Sequence, residues 1–149
     1  MSQKIEGLRA ERKYILDFIA VNKPYGYAYI SDNALTHEVM YETMEPTLTD
    51  DEKKKLQLIE KLLLDTLDVI MSELRTRERA EEYLIDKIEN IVKSHGIQVS
   101  RESLDKLIYY MIRDYIGYGK IDVMMRDPLI EDISCNGVNI PIFVWHREH

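Results

Sequence analysis

Residues 49–74 read TDDEKKKLQLIEKLLLDTLDVIMSEL, and this stretch decides the class of fold. Leu56, Ile59, Leu63, Leu67, Ile70 and Leu74 recur at steps of three or four residues, the period of one face of an α-helix. Thr49 and Glu52 stand at capping-box spacing. The Thr49 hydroxyl can accept the amide N–H of Glu52, and the Glu52 carboxylate can reach back to the Thr49 amide. Asp50 and Asp51 add negative charge at the positive end of the helix dipole. These signals predict a long amphipathic helix over 50–74. Leu58, Leu62 and Leu64 widen its apolar face, so it should meet more than one neighbour.

Downstream, Thr76 caps a second predicted helix, 77–95, with Ala80, Leu84, Ile88, Ile91 and Val92 inward and Gly96 as its left-handed terminator. Ser100 caps a third, 101–116, buried along Leu104, Leu107, Ile108, Met111, Ile112 and Tyr115 and stopped by Gly117 and Gly119. Connections this short predict a three-helix bundle. Upstream, residues 3–18 read as helix, with Ile5, Leu8, Arg12, Ile15 and Phe18 near helical spacing, and Pro24 ends it. A β-hairpin is predicted over 25–44. In its first strand Tyr25, Tyr27 and Tyr29 alternate with Gly26, Ala28 and Ile30; a turn at Ser31–Ala34 leads to a strand over Thr36–Met44. After Asp127-Pro128, two apolar runs, Ile130–Cys135 and Ile140–Trp145, flank Asn136-Gly137 as a second hairpin. That hairpin is too small to bury its own surface. The expected fold class is α+β, mostly α: a small β-hairpin plus three-helix bundle in a domain 1–122, then a second unit opening at 123–149.

The chain has 149 residues, 45% of them hydrophobic and 32% charged, which suits a folded domain. No apolar run approaches the roughly 20 residues that span a bilayer. Glu6, Arg9, Glu11 and Arg12 interrupt any secretory leader, so a soluble cytoplasmic protein is expected. The single cysteine, Cys135, excludes an internal disulfide framework and a Cys-based zinc cluster, and its place in a predicted strand suggests a buried, inert thiol. The net charge is −7, concentrated in residues 25–96, while residues 1–24 are slightly basic. An acidic body without a basic stripe argues against nucleic-acid binding.

Catalytic motifs are absent. The Gly119-Lys120 pair lacks the upstream glycine of a phosphate loop, having Asp114 there, and Ile121 replaces the magnesium-binding hydroxyl. Gly117-Tyr118-Gly119 reads as a helix terminator. His37, His95, His146 and His149 show no ligand spacing, so no metal site is expected. Asp127, Glu131 and Asp132 form an acidic cluster around Pro128 that reads as a solvated turn. Arg113, Arg126 and Arg147 stand beside apolar residues, where each either pairs with an acid such as Asp114 or Asp132 or reaches a phosphate on a partner.

Three stretches, in order, carry a resemblance. They are Pro24-Tyr-Gly-Tyr-Ala-Tyr-Ile30 with Tyr41-Glu-Thr-Met-Glu-Pro46 and Leu48-Thr49-Asp-Asp-Glu52; Tyr109-Tyr-Met-Ile-Arg-Asp-Tyr-Ile-Gly-Tyr-Gly-Lys-Ile-Asp122; and Arg126-Asp-Pro-Leu-Ile-Glu-Asp-Ile-Ser134 with Asn136-Gly137 and Ile142-Phe-Val-Trp-His-Arg147. Over about residues 23–147 the chain resembles the archaeal branch of the type II/type IV secretion ATPases, which power pili and the archaellum. The resemblance implies a family-variable helical N-terminal domain followed by the first strands of a PAS-like α/β domain, truncated here. It also implies, for the full-length protein, a homo-hexameric ATPase using ATP and magnesium at the cytoplasmic face of the membrane. The motor domain would follow in the same chain, and the N-terminal region would contact a membrane platform protein or regulatory motor components. No catalytic residue of that family maps onto these positions. Arginines of the PAS-like domain approach nucleotide in such enzymes, which makes Arg126 and Arg147 the candidates for nucleotide contact. No cofactor or metal is expected in this fragment itself.

The expected function is therefore a partner-binding or coupling region without ATPase activity of its own. The alternative is a self-contained helical adaptor that dimerises through its Leu56-to-Leu74 face.

Overall fold

A computed structural model describes residues 13–66 and 74–149. The fold is α+β, as expected, and divides into two compact units. One is the segment Pro46–Asp122; the other joins the chain up to Glu45 with Val123–His149.

The first unit is helical. It contains α1 (Asp50–Thr66), α2 (Arg77–Ser94) and α3 (Arg101–Tyr115), followed by a 3-10 turn at Gly119–Ile121. Ile59 and Leu63 of α1, Leu84, Ile88 and Ile91 of α2, and Leu104, Leu107, Ile108 and Met111 of α3 make one buried core. These are the inward positions that the spacing predicts. Leu67 and Ile70 of the predicted 50–74 helix lie outside the described residues, and Leu74 stands in a bend rather than in the helix. The caps form as expected. Thr76 Oγ1 accepts from Arg79 N and Ser100 Oγ from Ser103 N, and Gly96 follows α2 with φ +59°.

The capping box at α1 does more than close its helix. Thr49 N donates to Glu52 Oε2 at 2.9 Å, and Glu52 N to Thr49 Oγ1 at 3.1 Å. The same carboxylate accepts from Ser103 Oγ at 2.6 Å and pairs with Lys106 Nζ at 2.8 Å, both on α3. Glu52 is only 5% exposed, and these donors, Lys106 first, hold its pKa down at about 2.

The second unit is built on an antiparallel sheet in the order β1-β2-β3: Lys13–Asn22, Gly26–Asn33 and Val39–Met44. Strand β1 corrects the sequence reading. Residues 13–18 are strand, not the end of a helix over 3–18, whose residues up to 12 lie outside the described part. Between positions 13 and 22 the chain carries Tyr14, Ile15, Phe18, Ile19 and Val21, side chains that pack well on a pleated surface. Their pairing with β2, which no local helical count registers, decides the conformation. The turn after β2 also comes later than Ser31–Ala34. Ser31 and Asp32 still pair with Met40 and Val39, and Asn33 Oδ1 instead caps the turn by accepting from the amides of Leu35 and Thr36.

A five-residue helix, α4 (Asp122–Arg126), leads into the two-stranded sheet of β4 (Ile130–Ser134) and β5 (Phe143–His146). The hairpin is wider than Asn136-Gly137 suggests. Pro141 has no N–H for a ladder, so β5 starts at Phe143 rather than Ile140, and Ser134 pairs with Phe143. Cys135 consequently sits outside the strand and is exposed, which corrects the expectation of a buried thiol. The expected domain 1–122 places the β-hairpin with the helices; the compact unit joins it to 123–149 instead. Long-range contacts join the two stretches, among them Tyr41 OH to Asp127 Oδ2 at 2.7 Å and the shared lining of Ile30, Val39, Val144 and His146.

Candidate functional site

Strand alternation gives the three-stranded sheet two unlike faces. On one, Ala28 and Ile30 of β2 are buried, with Tyr41 and Val39 beside them on β3. Tyr41 stacks obliquely near His146 of β5, their ring centroids 6.3 Å apart. Ile30, Val39, Tyr41, Val144, His146 and His149 line a cavity of about 130 Å³. Asp127 is buried; its Oδ1 accepts from Leu129 N at 2.9 Å and its Oδ2 from Tyr41. Burial first, and the neighbouring Asp127 carboxylate second, push the Tyr41 hydroxyl far above its ordinary range.

The opposite face carries Ile15 and Phe18 from β1, Tyr27 and Tyr29 from β2, and Met40 and Met44 from β3, as the strand registers require. Phe18 stacks on Tyr27 with centroids 5.5 Å apart. Ile15, Phe18, Met40 and Met44 all remain exposed, Ile15 by 67% and Phe18 by 53%. An aromatic and methionine surface of this kind is what a binding face presents. An ion pair on this face, Lys13 Nζ to Glu42 Oε2 at 2.7 Å, lowers the Glu42 pKa through that hydrogen bond and fixes charge at the patch. The second hairpin adds an exposed Trp145 and Phe143.

The residues singled out from sequence do not gather into a catalytic centre. Arg147 Nε pairs with Glu131 Oε1 at 3.1 Å, and its amide donates to Leu129 O. Arg126 ends the short helix α4, half-buried. Arg113 pairs with the adjacent Asp114 at 2.8 Å. Within the acidic cluster, Asp127 is buried while Glu131 and Asp132 are exposed, so the three do not act as a carboxylate pair. What the sequence did not reveal is a meeting of Asp17, Glu148 and His149, whose potential ligand atoms lie within 4.8 Å of one another. Glu148 and His149 are neighbours in sequence, but Asp17 lies far away in the chain, so no local spacing signals the meeting. Among the described residues, no helix is long and apolar enough to cross a membrane.

No family model matches the chain. It is similar to the uncharacterized protein MJ1288 of Methanocaldococcus jannaschii, with 40% identity over 109 residues, covering 73% of this chain and 43% of that protein. It is also similar to the uncharacterized protein MJ0781 of the same organism, with 38% identity over 48 residues, covering 32% of this chain and 6% of that protein. The chain thus spans less than half the length of these relatives.

Proposed function

We propose that this chain is the partner-binding and coupling region of an archaeal secretion or archaellum motor ATPase, acting at the cytoplasmic face of the membrane and itself without hydrolytic activity. The observation that carries the reading is the ordered motif set ending in Asp127-Pro-Leu-Ile-Glu-Asp-Ile133. The open sheet face supports it, because Ile15, Phe18, Met40 and Met44 offer a partner apolar surface that the described chain leaves uncovered. Burying one such large side chain contributes about 1.5–3 kcal/mol, so a handful suffices for a specific contact. The longer relative MJ1288 is in keeping with a region that belongs to a larger protein. In that protein ATP and magnesium would be held by a downstream motor domain that also forms the hexamer, and Arg126 and Arg147 would be the groups of this region nearest in kind to a nucleotide contact.

The adaptor alternative draws on Leu58 and Leu64, which are exposed on α1. It is the weaker reading, since Ile59 and Leu63 of the same helix are already buried in the intramolecular core. The test is binding of the purified chain to the cytoplasmic segments of the polytopic platform protein encoded in the same genome, measured by biolayer interferometry. Saturable binding is expected. Failure to bind, with a stable dimer by sedimentation, would favour the adaptor, and hydrolysis of ATP by the chain alone would refute both.

A further inference from the structure

Three side chains from distant parts of the sequence converge beside the end of β5. Asp17 stands where β1 changes register against β2, and Glu148 and His149 follow β5 directly. A carboxylate oxygen from each acid and a ring nitrogen of His149 lie within 4.8 Å of one another, and His149 Nε2 is 3.7 Å from Asp17 Oδ2. The other Asp17 oxygen accepts from the Phe18 amide at 2.8 Å, which orients the carboxylate. Ligands around a tetrahedral ion, at bond lengths of about 2.0–2.2 Å, stand about 3.4 Å apart. One edge of such a polyhedron is therefore close to its bound length already.

An independent observation points to a ligand beside His149, the residue that the cluster shares with the neighbouring cavity. His146 is only 8% exposed, and its Nε2 is buried with no hydrogen-bond partner. Its Nδ1 accepts the amide N–H of Glu148 at 3.3 Å, so the neutral ring carries its proton on Nε2. The His146 and His149 rings are 5.3 Å apart and line the same cavity. A buried donor of this kind calls for an acceptor, and the cavity has room for water.

We propose that Asp17, Glu148 and His149 bind a divalent transition-metal ion of the zinc class, and that His146 Nε2–H donates to water held on that ion. Two carboxylates and one imidazole give a mixed oxygen and nitrogen set with an open position, which suits zinc better than calcium or magnesium, whose sites are built of oxygen. The ion's charge balances the two carboxylates and removes the repulsion between them. The inference stands apart from the secretion-motor reading and survives or fails without it.

Zinc chloride titrated calorimetrically into the untagged chain tests this, with the visible spectrum of the cobalt(II) form as a second readout. One ion per chain is expected, with cobalt bands typical of nitrogen and oxygen ligands. Asp17→Asn and His149→Ala should each weaken binding by at least about tenfold, and His146→Phe by about tenfold with unchanged stoichiometry. His37→Ala and His95→Ala should change nothing. Circular dichroism of each variant shows whether it is folded. The proposal is overturned by the absence of saturable zinc binding, or by binding that survives Asp17→Asn and His149→Ala in folded protein. Unchanged affinity in His146→Phe would remove the role assigned to that ring.

Discussion

Tyr41 OH donates to Asp127 Oδ2 at 2.7 Å, tying β3 to the turn that precedes β4. Replacing Tyr41 by Phe leaves one oxygen of a buried carboxylate without its donor. The expected loss is about 1–3 kcal/mol, read as a fall in the urea midpoint with unchanged slope. The phenol also sets an alkaline limit. Its folded pKa is raised above the ordinary value of 10.0, so its contribution is complete below pH 10 and fades as pH rises from there. Wild-type stability should therefore decline above pH 10, and the alkaline decline should be shallower in Tyr41→Phe.

How much of this was legible follows the range of each interaction. Thr49 and Glu52 are three residues apart, so their reciprocal bonds could be read from the sequence and are present. That Glu52 also receives Ser103 and Lys106 was not readable, because those partners arrive only when α3 packs on α1. Tyr25–Ile30 alternates cleanly, and the structure shows which of the two faces turns inward, burying Gly26, Ala28 and Ile30. Strand β1 is not legible in this way, because Ile15 and Phe18 stand a helical step of three apart and a regular strand would put them on opposite faces; only the register shift against β2 between Ile15 and Asp17 brings them to one face. For the candidate site, strand alternation places the tyrosines and methionines of β2 and β3 on their faces, whereas the helical spacing of Ile15 and Phe18 hides their place on the same sheet.

Glu52 predicts an acid response of opposite sign to that of Tyr41. Its pKa falls from the usual 4.5 to about 2 on folding, so its stabilisation is complete above pH 4.5 and is lost as pH drops toward 2. Glu52→Gln should cost on the order of 2–4 kcal/mol at pH 7, because Lys106 keeps its charge without a counter-ion in a mostly buried site. The variant should also lose less stability than wild type between pH 4.5 and pH 2. Urea titrations across that interval measure both effects.

Two glycines separate crowding from backbone strain. A Cβ at Gly117 would lie 2.3 Å from Asp122 Oδ1 and 2.8 Å from the Arg113 carbonyl oxygen. Asp122 is buried, and Oδ1 accepts from the Tyr118 amide at 2.9 Å, so the clash falls on a fixed carboxylate. Gly117→Ala should cost about 1–3 kcal/mol through overpacking. At Gly96 nothing lies near the Cβ position, but φ is +59°. Gly96→Ala should therefore cost only about 1 kcal/mol, from the left-handed backbone. Thermal melts of both variants give the ordering; equal losses would contradict it.

The open sheet face gives a prediction in which binding and stability part company. Met44 lies at the end of β3 and is exposed, so Met44→Lys should change stability by less than about 0.5 kcal/mol. Phe18→Asp removes the stack on Tyr27 and should cost about 0.5–1.5 kcal/mol. If this face meets the platform protein, each change should weaken that complex at least about tenfold, or about 1.4 kcal/mol, since each places a charge where an apolar side chain is buried on binding. The double variant should bind more weakly still while keeping a cooperative unfolding transition. Wild-type affinity in a folded double variant would move the contact off this sheet. The exposed pair Phe143 and Trp145 on β5 would then be the next surface to probe, because two large aromatic side chains of the same unit stand close together there and both are open to solvent.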